Sequence, residues 1–220
     1  MAHCYDIKLA AQIAEASYTG RRHSPLAPSI LHQLDENDVA AYFLKGNILL
    51  IPGSNSVADY LKYHLRVLQI GCKRYRLSDE DTEKGASGTV WHQGFLAHVK
   101  VIYDWLKREN LKPDYIIGHS LGAAATQVLV RTCGVPGIGF AAPWPRRSSG
   151  AIKHSDLCLC INRDDDPVCG LPGIFHNMGT VHRAKAKRSR FGPDHSIKHY
   201  RRVIDEQQTP GTLGPRWPEG

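Results

Sequence analysis

Ile116-Ile117-Gly118-His119-Ser120-Leu121-Gly122 joins an apolar, strand-like run to a Gly-x-Ser-x-Gly pentapeptide, and Ala123-Ala124-Ala125 opens a helix directly afterwards. A serine hydroxyl is a poor nucleophile at neutral pH. To react, it must stand clear of its own backbone, beside a base and beside oxyanion donors. A sharp strand-to-helix turn achieves this by bringing backbone segments so close that a Cβ at position 118 or 122 would obstruct them. Gly118 and Gly122 are therefore read as mechanical requirements of a nucleophile elbow with Ser120 at its tip. The alanines let the helix lie tightly on the strand it has left, and Gln127, Val128 and Leu129 continue as good helix formers.

A nucleophilic serine on this kind of elbow is followed along the chain by a carboxylate and then a histidine. The stretch Asp156-Leu157-Cys158-Leu159-Cys160-Ile161 reads as a buried strand that empties into Asn162-Arg163-Asp164-Asp165-Asp166-Pro167-Val168. Carboxylates thereby reach the carboxyl edge of a sheet, where ligand chemistry collects in open α/β folds. Taken alone, the acidic run does not single out one aspartate, and it also fits a solvated acidic turn. Further on, Gly192-Pro193-Asp194-His195-Ser196 breaks the chain before a helix through Ile197, Tyr200, Val203 and Ile204. His195 falls on that junction, and His199, one turn along, competes with it.

Other segments carry a family likeness. Ile51-Pro52-Gly53-Ser54 with Asp59-Tyr60, Val90-Trp91-His92-Gln93-Gly94-Phe95, the Gly118–Gly122 elbow, Phe140-Ala141-Ala142-Pro143 and Asp166-Pro167-Val168-Cys169-Gly170-Leu171-Pro172 occur in that order. Together they resemble the class 3 lipases, the α/β-hydrolase family of fungal triacylglycerol lipases and feruloyl esterases. The resemblance implies Ser120 as nucleophile, His195 as general base and then acid, and Asp166 as the group that fixes the imidazole. It selects Asp166 because only that position puts Val168, Leu171 and Pro172 in the family's places. His195-Ser196 with Tyr200 matches the family's histidine pattern better than His199-Tyr200 does. By the same resemblance, the oxyanion donors are the N–H of Leu121 and the N–H and hydroxyl of Ser54. Pro52 stands where the family has an arginine that anchors the oxyanion loop, and Ala141 where it has glycine. His92 and His119 are read as structural, hydrogen-bonding within the elbow and its neighbouring loop.

A coarse pass along the chain predicts a helix over 6–17, an extended pair over 40–51 turning at Lys45-Gly46-Asn47, and an amphipathic helix over 56–68. Val57, Tyr60, Leu61, Leu65 and Leu68 on that last segment suit either a core-facing helix or a lid. A polar loop is expected over 78–89 and a helix over 93–109. The elbow strand and its helix follow, then strands near 136–142, 156–162 and 178–184, and a final helix. Alternating strands and helices argue for a mostly parallel central sheet with helices on both faces, an α/β-hydrolase fold. One domain over 1–206 is expected, with residues 207–220 as a flexible tail rich in proline and glycine.

Composition bounds the remaining possibilities. With 42% hydrophobic and 22% charged residues, the 220-residue chain fits an ordinary globular protein able to bury one sizeable core. Asp6, Lys8 and Glu15 interrupt the first twenty residues, which speaks against a signal peptide, and no apolar run reaches bilayer length. The 6 cysteines form no small-domain disulfide framework and no paired Cys-x-x-Cys spacing. Reduced thiols in a cytoplasmic protein, without metal or other cofactor, are the expectation. Residues 182–202 hold eight basic side chains against the single acid Asp194, enough to account for the whole net charge of +7. Such a cluster attracts anionic phospholipid surfaces or acidic substrates. It also defines a rival reading, nucleic-acid binding with Phe191 and Tyr200 as stacking aromatics; an inactive hydrolase-fold scaffold is the other. The favoured substrate is a lipid or other acyl ester.

Overall fold

The computed structural model describes residues 4–18, 25–53, 67–76, 81–185, 195–207 and 213–218. Seven strands form the central sheet: β2 (Ile30–Glu36), β3 (Val39–Leu44), β4 (Ile48–Ile51), β9 (Tyr115–His119), β10 (Gly137–Phe140), β11 (Cys158–Arg163) and β12 (Thr180–Ala184). Their spatial order is β12-β11-β10-β9-β4-β3-β2. From β4 to β12 every pairing is parallel, whereas β3 pairs antiparallel with both β4 and β2.

Strand alternation sorts the core into two layers. Leu49, Ile51, Ile116, Cys158 and Cys160 face a cluster that includes Phe95, Ile102 and Trp105 of α2 (Gln93–Arg108) and Ala123, Ala124 and Val128 of α3 (Leu121–Cys133). The intervening residues Ile48, Leu50, Tyr115, Ile117, Leu159 and Ile161 face the opposite cluster. Ile7, Ala10 and Ala14 of α1 (Ile7–Ala16) lie there with Ile197, Tyr200 and Ile204 of α4 (Ile197–Gln207). A side-chain period of two on a sheet buried on both faces produces this division, which is why the strands read as near-continuous apolar runs.

Local chemistry fixes the connections. Asp6 caps α1 by accepting a hydrogen bond from the Leu9 N–H at 2.8 Å. Asn37 and Asp38, both at positive φ, make the two-residue turn between β2 and β3; Gly46 and Asn47, also at positive φ, belong to the three-residue turn that starts at Lys45 between β3 and β4. Among the described residues no helix is long and apolar enough to cross a membrane.

Four expectations change. Strand β2 is additional: it lies at the sheet edge and buries only Leu34 well, so its apolar signal is weak. The helix expected over 56–68 falls mostly outside the described residues, and Leu68 lies in a hairpin of β5 (Val67–Ile70) and β6 (Lys73–Arg76) turned at Gly71. The expected loop over 78–89 contains β7 (Thr82–Lys84), paired with β8 (Val90–His92). Nor is all of 207–220 loose. Strand β13 (Arg216–Trp217) pairs antiparallel with β1 (Tyr5–Asp6), and Trp217 is buried. The Trp217 indole N–H donates to the Leu157 carbonyl, and the Trp217 carbonyl accepts from the Tyr115 hydroxyl.

This clamp rests on one aromatic side chain. Trp217→Ala is expected to lower unfolding stability by about 3 kcal/mol, the scale of a large buried truncation. Urea unfolding measures it, and a midpoint unchanged from wild type would count against the clamp.

Candidate active site

Parallel strands deliver their carboxyl ends to one edge of the sheet, and the site is assembled there. β9 ends at His119, the chain reverses through Ser120, and α3 starts at Leu121. Ser120 has φ 57° and ψ −120°, a conformation that L-residues adopt only under constraint. The two elbow glycines supply that constraint. A Cβ on Gly118 would lie 2.2 Å from the Gly122 carbonyl oxygen, and one on Gly122 would lie 1.9 Å from the Ile51 carbonyl oxygen. Both positions tolerate only hydrogen, as the elbow reading of the sequence requires.

The three side chains named from the sequence meet in one hydrogen-bonded chain. His195 Nε2 lies 2.7 Å from Ser120 Oγ, and its Nδ1 lies 2.8 Å from Asp166 Oδ2. All three residues are buried. Asp166 follows β11 and caps the short 3₁₀ turn Pro167–Gly170, accepting from the Val168 N–H at 3.0 Å. The Tyr200 hydroxyl adds a third donor at 2.8 Å. Burial by itself would raise the Asp166 carboxyl pKa, but the bonds from His195, Tyr200 and Val168 outweigh it and hold the carboxyl below its ordinary value. Asp165 is engaged elsewhere, in a two-bond pairing with Arg163 at 2.9 Å. Of the two candidate histidines, it is His195 whose ring joins Ser120 to Asp166.

Leu121 is the first residue of α3, so its N–H has no partner within the helix and lies where the helix dipole favours negative charge. Ser54, the other expected donor, lies outside the described residues. Its neighbour Gly53 is described and is packed against the elbow: a Cβ there would come within 2.9 Å of Ser120 Cβ. Pro52 provides no arginine anchor at this point. Instead the Gly53 N–H donates to the Tyr18 hydroxyl at 2.7 Å.

Tyr18 leads to a second chain of hydrogen bonds that sequence reading did not find. Its hydroxyl lies 2.7 Å from His119 Nδ1, and His119 Nε2 lies 3.0 Å from the His195 carbonyl oxygen. One consistent assignment of protons runs through all three contacts: Gly53 N–H to Tyr18, Tyr18 O–H to Nδ1, and Nε2–H to the His195 carbonyl. Burial first, then the nearby His195, lowers the His119 pKa to about 3, so the ring is neutral as this assignment requires. Tyr18 and His119 are 101 positions apart, and no local pattern links them. His92 is structural, its Nδ1 accepting from the Gly94 N–H at the start of α2.

Tyr200 was matched to a family pattern from sequence, and its work here is physical. Its hydroxyl accepts from the Arg163 N–H while donating to Asp166. The ring is fully buried and unavailable as a stacking platform for a nucleobase. Phe191, its proposed companion, lies outside the described residues. Within those residues, no three His, Cys, Asp or Glu side chains are grouped as metal ligands would be.

No protein-family model matches the chain. A Mycosarcoma maydis protein named "Putative lipase ATG15" is 35% identical over 85 residues, a stretch covering 36% of this chain and 16% of that protein. The chain thus spans about a sixth of that relative's length. Among solved structures, the Lip2 lipase of Yarrowia lipolytica superimposes with a TM-score of 0.60 at 12% identity, covering 90% of this chain and 87% of the other. A Rhizomucor miehei lipase in a propeptide complex gives 0.52 at 16% identity over 90% and 75%. At these identities the likeness concerns architecture, and the architecture is the α/β-hydrolase fold, with a mostly parallel sheet flanked by helices.

Proposed function

We propose that this chain is a serine hydrolase of carboxylic esters, acting on lipid or other acyl esters through Ser120, His195 and Asp166. One observation carries the reading: a serine at positive φ on a glycine-walled elbow, 2.7 Å from an imidazole whose other nitrogen lies 2.8 Å from a buried carboxylate. The lipase neighbours support the substrate class.

In the proposed reaction His195 Nε2 takes the Ser120 proton as Oγ attacks the ester carbonyl. Negative charge develops on the carbonyl oxygen, where the Leu121 N–H and the Ser54 donors would meet it. The intermediate collapses as His195 returns the proton to the leaving alcohol, and an acyl-Ser120 ester remains. Water, deprotonated by the same imidazole, then releases the acid. Asp166 stays ionised throughout, fixing the Nδ1–H tautomer and stabilising the imidazolium.

His119 complements this cycle by being neutral. Its ring lies 5.2 Å from that of His195, and a second positive charge there would oppose the imidazolium. Neutrality has a cost in acid. With a folded-state pKa of about 3 against an ordinary 6.5, His119 binds its proton more readily when unfolded. The stability it contributes is complete above pH 6.5 and is lost as pH falls toward 3.

Two tests follow from these arguments. On p-nitrophenyl esters of increasing acyl length, Ser120→Ala and Asp166→Asn should each lose about 10⁴-fold or more in turnover. Alanine-variant turnover equal to wild type would overturn the nucleophile assignment. Separately, urea midpoints at pH 7 and pH 4 should differ less in His119→Gln than in wild type. An identical acid loss in both proteins would remove His119 as its source.

A further inference from the structure

Arg146 is an anomaly of this fold. The residue is 2% exposed, yet among the described residues no carboxylate pairs with it. Its Nε and Nη1 have no hydrogen-bond partner, and Nη2 donates to the carbonyl of Gly150. A buried guanidinium is costly to desolvate and is ordinarily compensated by an anion and by full use of its donors. Burial also lowers its pKa, as expected of a cation that has lost water and gained no counter-charge.

The backbone leaves Arg146 little freedom to escape. Its N–H donates to the His176 carbonyl and its own carbonyl accepts from the His176 N–H, a two-way bridge to the segment before β12. A cavity of about 600 Å³ opens beside it, lined by Arg146 together with Arg183, His176, Ser155 and Trp144. Arg183 and His176 are exposed, so donors of the cavity wall remain accessible. None of its lining residues belongs to the Ser120–His195–Asp166 chain. Asp156 also lines the cavity, an exposed carboxylate set against two arginines.

We infer that this cavity is a binding site for a phosphate group carried on a small polar organic body, with Arg146 and Arg183 as its principal ligands. A phosphate offers several oxygens to donors converging from different sides, and arginine is the side chain best matched to them. The volume exceeds what a bare ion fills and lies within the range of small-molecule sites. Gly150, whose carbonyl is the present partner of Nη2, sits in the exposed run 147–151. An incoming oxyanion competes for that same donor. The phosphate has two possible sources, a soluble phosphoester or a lipid headgroup, and the chemistry at Arg146 is common to both.

Isothermal titration of the full chain with glycerol 3-phosphate, at ionic strength fixed with sodium chloride, tests the site. Saturable binding is expected, weakened about tenfold or more by Arg183→Gln and by Arg146→Lys, the scale of one charge-assisted contact. Arg183 is exposed, so its variant remains informative should the Arg146 variant fail to fold. Hydrolysis of p-nitrophenyl esters by Arg183→Gln should be unchanged, which separates this site from the ester-hydrolase reading. Co-sedimentation with phosphatidylglycerol vesicles, lost in Arg183→Gln, would assign the phosphate to a lipid headgroup. Glycerol phosphate binding without vesicle binding would assign it to a soluble ligand. Absence of saturable binding to either probe, or binding undiminished in Arg183→Gln, overturns the proposal.

Discussion

The contact between the Gly122 α-carbon and the Ile51 carbonyl governs this architecture. It occurs where β4 and β9 run side by side, with Ile51 registered against Gly118, and where α3 begins directly above them. Neither glycine can carry a side chain without driving the helix off the sheet. With the helix held down, the backbone between them has to turn within a single residue, and Ser120 adopts the positive φ that results. The Ser120 N–H is taken up by the Phe140 carbonyl of the adjoining strand, so the turn is fastened on its other flank as well. Close packing therefore creates the conformational strain, and the same packing keeps it from relaxing.

Everything else at the site is arranged around that fixed point. The parallel strands β9 and β11 bring Ser120 and Asp166 to one edge, and His195 joins them from the segment that leads into α4. Electrostatics then divides the buried groups by role. Asp166 remains charged because three donors replace the water it has lost. His119, equally buried but given a hydroxyl and a carbonyl as partners, remains neutral. Burial is common to the two residues, and their hydrogen-bond partners decide which of them keeps a charge.

Much of this arrangement was legible in the sequence where local sterics dictate the residue type. The elbow glycines, the alanines of α3 and the apolar strands each follow from nearest-neighbour geometry. Ala141 shows how far a family pattern can bend: it takes φ 54° where the resemblance has glycine. Strand β2 was missed because an edge strand with one good anchor, Leu34, lacks apolar density, although Asn37-Asp38 marked its turn. The Tyr18–His119 link and the docking of Trp217 could not have been read at all. Both join residues 60 or more positions apart, and neither contact leaves a periodic trace.

The imidazole of His195 lies two residues before helix α4, and Tyr200 in its first turn braces the carboxylate. It is held to the molecule by Ile197, Tyr200, Val203 and Ile204, by packing on α1, and by the Arg201–Glu15 ion pair. Detachment of this one helix would withdraw base and brace together while leaving the elbow and sheet intact. In the proposed hydrolase, α4 would thus act as a fuse whose rating is set by its docking on α1.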